Sequence, residues 1–139
     1  MDWLLKALPS LCVVLRWLTR KKPQPPAVLW ALVVEDDAND AYFIELALRR
    51  CGFQVQIEPS AEAARGNLRR NVYDLILVDL RLPGMSGAAL LRVLSNETPF
   101  ARCVVVTGDP CNLPASEPVI MVVKPVTDES IRKLMKLLK

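Results

Sequence analysis

A chain of 139 residues with 52% hydrophobic and 24% charged side chains has enough apolar surface for one closed core, and this composition excludes an intrinsically disordered protein. The net charge of +3 is concentrated at the start: residues 1–26 hold Lys6, Arg16, Arg20, Lys21 and Lys22 against Asp2 alone, and the rest of the chain is nearly neutral. A neutral body excludes wholesale nucleic-acid binding, which needs a basic face, and the absence of histidine excludes imidazole catalysis and a histidine kinase or phosphotransfer role.

Met1 to Leu18 is apolar on almost every face, but Lys6, Pro9 and Arg16 interrupt it. Its longest uncharged stretch, Ala7 to Leu15, falls short of the roughly 20 apolar residues of a membrane-spanning helix. The basic cluster follows the apolar run, opposite to a secretory signal. Three roles stand open for residues 1–22. One is a helix lying on the inner membrane surface, with Trp3 and Trp17 at headgroup level and Arg16 to Lys22 facing anionic lipid. Another is a hydrophobic helix that docks on a protein partner. The third is a loosely packed tail, or an upstream extension from a misplaced start codon. Pro23, Pro25 and Pro26 make residues 23–26 an extended linker, which places the folded domain at 27–139. Cys12, Cys51, Cys103 and Cys111 show no metal-ligand spacing and read as free thiols in a reducing cytosol. The expected location is the cytoplasm, with peripheral contact at the inner membrane face through residues 1–22.

Val28 to Val34 is a continuous apolar run of strand length, as expected where both faces of a parallel strand are buried. Asp37 to Cys51 has helical periodicity with acids in its first turn, and Gly52 ends it. Phe53 to Glu58 alternates as a strand, Ser60 to Arg70 is helical, and Tyr73 to Val78 is a second buried strand. Ser86 to Ser95 is helical, Arg102 to Val106 and Val119 to Val123 are strands, and Thr127 caps a final amphipathic helix. Strands alternating with helices predict a doubly wound, five-stranded parallel α/β sheet. In such sheets the ligand site lies beyond the carboxyl ends of the strands.

Those ends carry Glu35-Asp36-Asp37, then Asp79, then Thr107-Gly108, then Lys124-Pro125. Several carboxylates at one edge repel each other unless they hold a hard dication, and Mg2+ takes oxygen ligands in an octahedron. A lysine and a hydroxyl at the same rim suit an oxyanion. A carboxylate beside a metal is a competent nucleophile toward phosphorus, and Asp79, on the central strand, is the apt one. Each residue alone has an ordinary explanation: a threonine in a turn, an aspartate capping a helix, a lysine before a proline. Their joint occurrence at four strand ends does not.

The stretch Val33 to Asp37 resembles the acidic pocket of response-regulator receiver domains, and Asp79-Leu80-Arg81-Leu82-Pro83-Gly84-Met85-Ser86-Gly87 resembles their phosphoacceptor loop. Val106-Thr107-Gly108 and Val123-Lys124-Pro125 resemble the switch threonine and the lysine-proline pair, and the likeness covers residues 28–139. The resemblance implies a flavodoxin-like receiver fold in which Asp79 accepts a phosphoryl group from a histidine kinase or histidine phosphotransfer protein. It implies Mg2+ held by Asp36, Asp79, the backbone carbonyl of Arg81 and, through water, Glu35. Asp36 with Asp37 is the alternative acid pair, although Asp37 also suits the start of the following helix. Thr107 and Lys124 would bind the phosphoryl group, Gly108 would leave room for it, and the Lys124–Pro125 bond would be cis. Because the chain ends just after the last helix, a stand-alone receiver that signals through a protein partner is expected, not an enzyme. The rivals are a phosphorylation-independent binding module and an aspartyl-nucleophile phosphatase; the latter would want a second acid where Arg81 stands.

Two departures bear on readout. The segment between Thr107 and the fifth strand is short and holds Pro110, Pro114 and Pro118, so the fourth helix of the family is expected to be shortened or lost. Met121 occupies the position three before the lysine, where the family often has an aromatic switch residue. Arg81 and Asp109 are expected to pair over the phosphorylation site.

Overall fold

The computed structural model describes residues 27–97, 101–112 and 120–139. The expectations for residues 1–22 and the linker 23–26 lie outside the described residues. Five parallel strands, β1 (Leu29–Val34), β2 (Phe53–Glu58), β3 (Leu75–Asp79), β4 (Arg102–Thr107) and β5 (Ile120–Val123), form one sheet in the order β2-β1-β3-β4-β5. Among the described residues four α-helices cover it: α1 (Ala38–Arg50), α2 (Ala61–Leu68), α3 (Gly87–Glu97) and α4 (Asp128–Leu137).

The apolar strands bury both faces. Ala31 and Val33 of β1 pack with Ile44 and Leu48 of α1 and Ile131 and Leu134 of α4. Their neighbours Leu32 and Val34 point the other way, toward Ala61 and Ala64 of α2 and Leu90 and Leu94 of α3. Burying each such leucine or isoleucine stabilises the fold by about 2 kcal/mol. The edge strand β2 buries Phe53 and Val55 on one side and exposes Gln54 and Gln56 on the other, which explains its alternating sequence.

Side chains set the helix starts. Asp37 caps α1 by accepting from the Asn39 and Asp40 amides, Ser60 caps α2, and Thr127 and Ser130 form a capping box on α4. Beyond α1, Gly52 turns the chain with φ +93, a conformation natural to glycine. The second helix stops at Leu68, short of the expected Arg70. Asn67 O there accepts from the Arg70 and Asn71 amides, and the Asn67 side chain is engaged with Glu58 and Tyr73. Between β4 and β5 the described residues hold a single 3-10 turn, Pro110–Asn112, and the rest of the segment on which the shortened helix was expected lies outside them.

The chain leaves β1 toward β2 on one side and returns to β3 on the other. That reversal opens a crevice at the carboxyl ends of β1 and β3.

Candidate functional site

Glu35 follows β1, pinned by its amide to Glu58 O, and only 2% of it is exposed. Asp79 closes β3 with 6% exposed, and Thr107 closes β4 with 2%. Lys124 follows β5, its amide donating to Thr107 O at 2.8 Å, and the Lys124–Pro125 peptide is cis. Oxygens of Glu35, Asp36 and Asp79 all lie within 4.8 Å of one another. Asp37 stands outside that group because its carboxylate caps α1.

Lys124 Nζ donates to Asp79 Oδ2 at 2.9 Å and to Asp40 Oδ2 at 2.8 Å, and it lies 2.8 Å from Glu35 Oε2. The other oxygens meet backbone amides: Asp79 Oδ1 accepts from the Arg81 N–H at 2.9 Å, and Glu35 Oε1 from the Asp37 N–H at 3.1 Å. Glu35 Oε2 is buried and receives no directed hydrogen bond among the described residues. Burial pushes the Glu35 carboxyl up to about 7, with the Asp79 charge adding to the rise and Lys124 and the Asp37 amide opposing it. Burial would lower Lys124, but its carboxylate partners Asp40, Glu35 and Asp79 outweigh that and hold the ammonium above the usual lysine range.

Thr107 stands at the same edge, but its hydroxyl donates to Asp109 O and accepts from the Asp109 amide. A Cβ added at Gly108 would meet nothing within 4 Å among the described residues, so a methyl there finds no clash with them. Arg81 Nη2 lies 3.4 Å from Asp109 Oδ2 across the rim. Met121 is exposed on β5.

The loop after Asp79 is held from both sides. Glu62, at the start of α2, accepts from the Met85 amide at 2.9 Å, and this bond keeps its carboxyl below the usual range. At the loop's end a Cβ on Gly87 would sit 2.1 Å from Asp79 O and 2.7 Å from Leu80 Cα. Gly87→Ala is therefore expected to destabilise the chain by about 2–4 kcal/mol, because backbone must move to admit one methyl. An unchanged urea midpoint would contradict this close approach.

Two residues of this site escape sequence reasoning. Asp40 and Glu62 both sit in first turns of helices, where an acid is already accounted for by the helix dipole. No spacing rule marks either as reaching across to another element.

The three-carboxylate group offers oxygen donors only, which suits a hard dication such as Mg2+. The buried Glu35 Oε2, which has the Lys124 ammonium 2.8 Å away but no directed hydrogen bond, still has lone-pair capacity that the same ion fits.

The model of the response regulator receiver domain family matches residues 31–136. The response regulator ArlR of Staphylococcus haemolyticus is 39% identical over 66 residues, covering 48% of this chain and 30% of that protein. The chain thus spans about a third of the length of this curated relative. A CheY-like receiver domain from Methylobacillus flagellatus superposes with a TM-score of 0.74 at 27% identity, covering 81% of this chain and all of that one. A response regulator from Burkholderia pseudomallei, solved with a phosphorylated aspartic acid, a calcium ion and citrate, matches at TM-score 0.66 and 27% identity over 75% of this chain and 64% of that one.

Proposed function

Because the chain belongs to the response regulator receiver domain family, a class of signalling module and not of turnover enzyme, we propose that Asp79 is its phosphoacceptor and Mg2+ its cofactor. The observation that carries this function is the setting of Asp79: a buried carboxylate at the end of the central strand, hydrogen-bonded to Lys124 and gathered with Glu35 and Asp36. The Burkholderia relative, with its phosphorylated aspartic acid, supports the same chemistry.

A carboxylate oxygen of Asp79 attacks phosphorus, and the bond from phosphorus to the donor nitrogen of a phosphohistidine breaks, leaving the electron pair on the imidazole. Glu35, Asp36, Asp79 and the Arg81 carbonyl would hold Mg2+, which screens the repulsion between carboxylate and phosphoryl group. Lys124 supplies the ammonium for the phosphoryl oxygens. Thr107 reaches them by exchanging its bonds to Asp109 for one to the phosphoryl group. The phosphodonor is a histidine kinase or a histidine phosphotransfer protein, and output passes to a protein partner. With a short, proline-rich stretch of sequence before β5 and Met121 at the switch position, the face around β5 makes contacts unlike the family's usual ones.

Incubation with acetyl phosphate and Mg2+ should add one phosphoryl mass to the chain. No added mass in a chain that binds Mg2+ would favour a phosphorylation-independent binding module, the reading that Met121 and the short 108–118 segment support.

Arg81 and Asp109 pair at the rim, and as a bridge over Asp79 they would hinder water. The Arg81 side chain is 77% exposed, so the pair is a weak one and its effect is a few-fold. Arg81→Ala is expected to shorten the phosphorylated lifetime by that factor. An unchanged decay of the added mass would count against the bridge.

A further inference from the structure

Asp40 stands in the first turn of α1, yet its carboxylate pairs with Lys124, 84 residues away. Stabilisation of the helix dipole explains an acid at this position but not the reach. An ammonium has three N–H donors. One goes to Asp40, which lies outside the three-carboxylate group, and one to Asp79, which lies inside it. The Asp40 side chain is 45% exposed, whereas Glu35 and Asp79 are buried. Lys124 is therefore pulled outward to the rim by one acid and inward by two.

We propose that Asp40 is a positioning residue that divides Lys124 between the rim and the acidic group, and thereby favours Mg2+ while opposing a phosphoryl group on Asp79. The ammonium touches all three acids, and the hydrogen bond to Asp40 takes one of the donors that Glu35 and Asp79 would otherwise share, which weakens its competition with a dication for their oxygens. The charge of Asp40 adds to the field that attracts that ion. The same bond occupies a donor that an oxyanion on Asp79 needs, and the same charge repels the oxyanion. The two affinities thus move in opposite directions when Asp40 is neutralised. The phosphoryl half of this inference rests on Asp79 being the phosphoacceptor; the Mg2+ half rests on the geometry alone.

Calorimetry on the full chain separates the two halves. Mg2+ is titrated first, then beryllofluoride, a phosphoryl mimic, at saturating Mg2+, for wild type, Asp40→Asn and Asp40→Glu. Asp40→Asn is expected to weaken Mg2+ by roughly threefold to fivefold and to tighten beryllofluoride by a similar factor, as suits a half-exposed ion pair. Asp40→Glu restores the charge and stays within about twofold of wild type. A purely structural role at the helix start would lower the melting temperature and move both affinities together or not at all. Unchanged Mg2+ affinity in Asp40→Asn overturns the proposal. A wild-type chain that binds Mg2+ but no beryllofluoride contradicts the phosphoacceptor function, and the Mg2+ titrations then decide on Asp40 by themselves. A wild-type chain that binds neither overturns both.

Discussion

Lys124→Ala is expected to destabilise the metal-free chain at neutral pH by about 3 kcal/mol and to slow its phosphorylation severely. Glu35 and Asp79 are both buried, and Lys124 is the cation that faces them. Without it two carboxylates confront each other in a site shielded from water, and removing one partner of a buried ion pair leaves the rest uncompensated. The loss should be largely recovered by Mg2+, which replaces the missing charge, and by acid, which protonates Glu35. Urea unfolding with and without Mg2+ checks this. Equal destabilisation in both conditions would mean that Lys124 contributes packing and not charge. The phosphorylation defect should persist when Mg2+ restores stability, because the metal does not supply the ammonium's hydrogen bond to the phosphoryl oxygens.

The second large effect is on pH. The Glu35 carboxyl rises from 4.5 to about 7 on folding in the absence of metal. A group with a raised folded value stabilises the fold fully below its unfolded value and loses that contribution as pH climbs through its folded value. The window is therefore about pH 4.5 to about 7, and the whole contribution is at most about 3 kcal/mol. Lys124, also raised, keeps its contribution throughout this window and loses it only in strong alkali. Metal-free wild type should lose stability across the window relative to Glu35→Gln, which has nothing to titrate there. Mg2+ should stabilise wild type more at pH 8 than at pH 5, because the cation needs the ionised carboxylate. Parallel melting curves for wild type and Glu35→Gln across the window would contradict the buried setting of Glu35.

Much of the fold was legible because burial and periodicity coincide in this chain. Runs such as Leu75 to Val78 are apolar on both sides because both sheet faces are covered. The rule that ligands gather at the carboxyl ends of strands then led from the pattern to Glu35, Asp36, Asp79, Thr107 and Lys124. What escaped was what crosses between elements. Asp40 and Glu62 look like ordinary first-turn acids, and only the folded arrangement brings them to Lys124 and to the Met85 amide. The present partner of Thr107 was equally hidden, since a hydroxyl at a strand end bonds its own turn as readily as a distant group. α2 ends at Leu68, two residues before the rough end that its sequence suggests, for a related reason. Arg69 and Arg70 are good helix formers, and the side-chain network around Asn67 outweighs their propensity.

Asp79 itself is proposed to take the phosphoryl group. An aspartyl phosphate is an acyl phosphate, which borohydride reduces to a side-chain alcohol, so the phosphorylated residue can be marked and located by peptide mapping. After treatment with acetyl phosphate and Mg2+, the reduced residue should be found at position 79 and should vanish when the metal is chelated. A mark at Asp36 or Asp37 instead, or none at all in a chain that binds Mg2+, would contradict it.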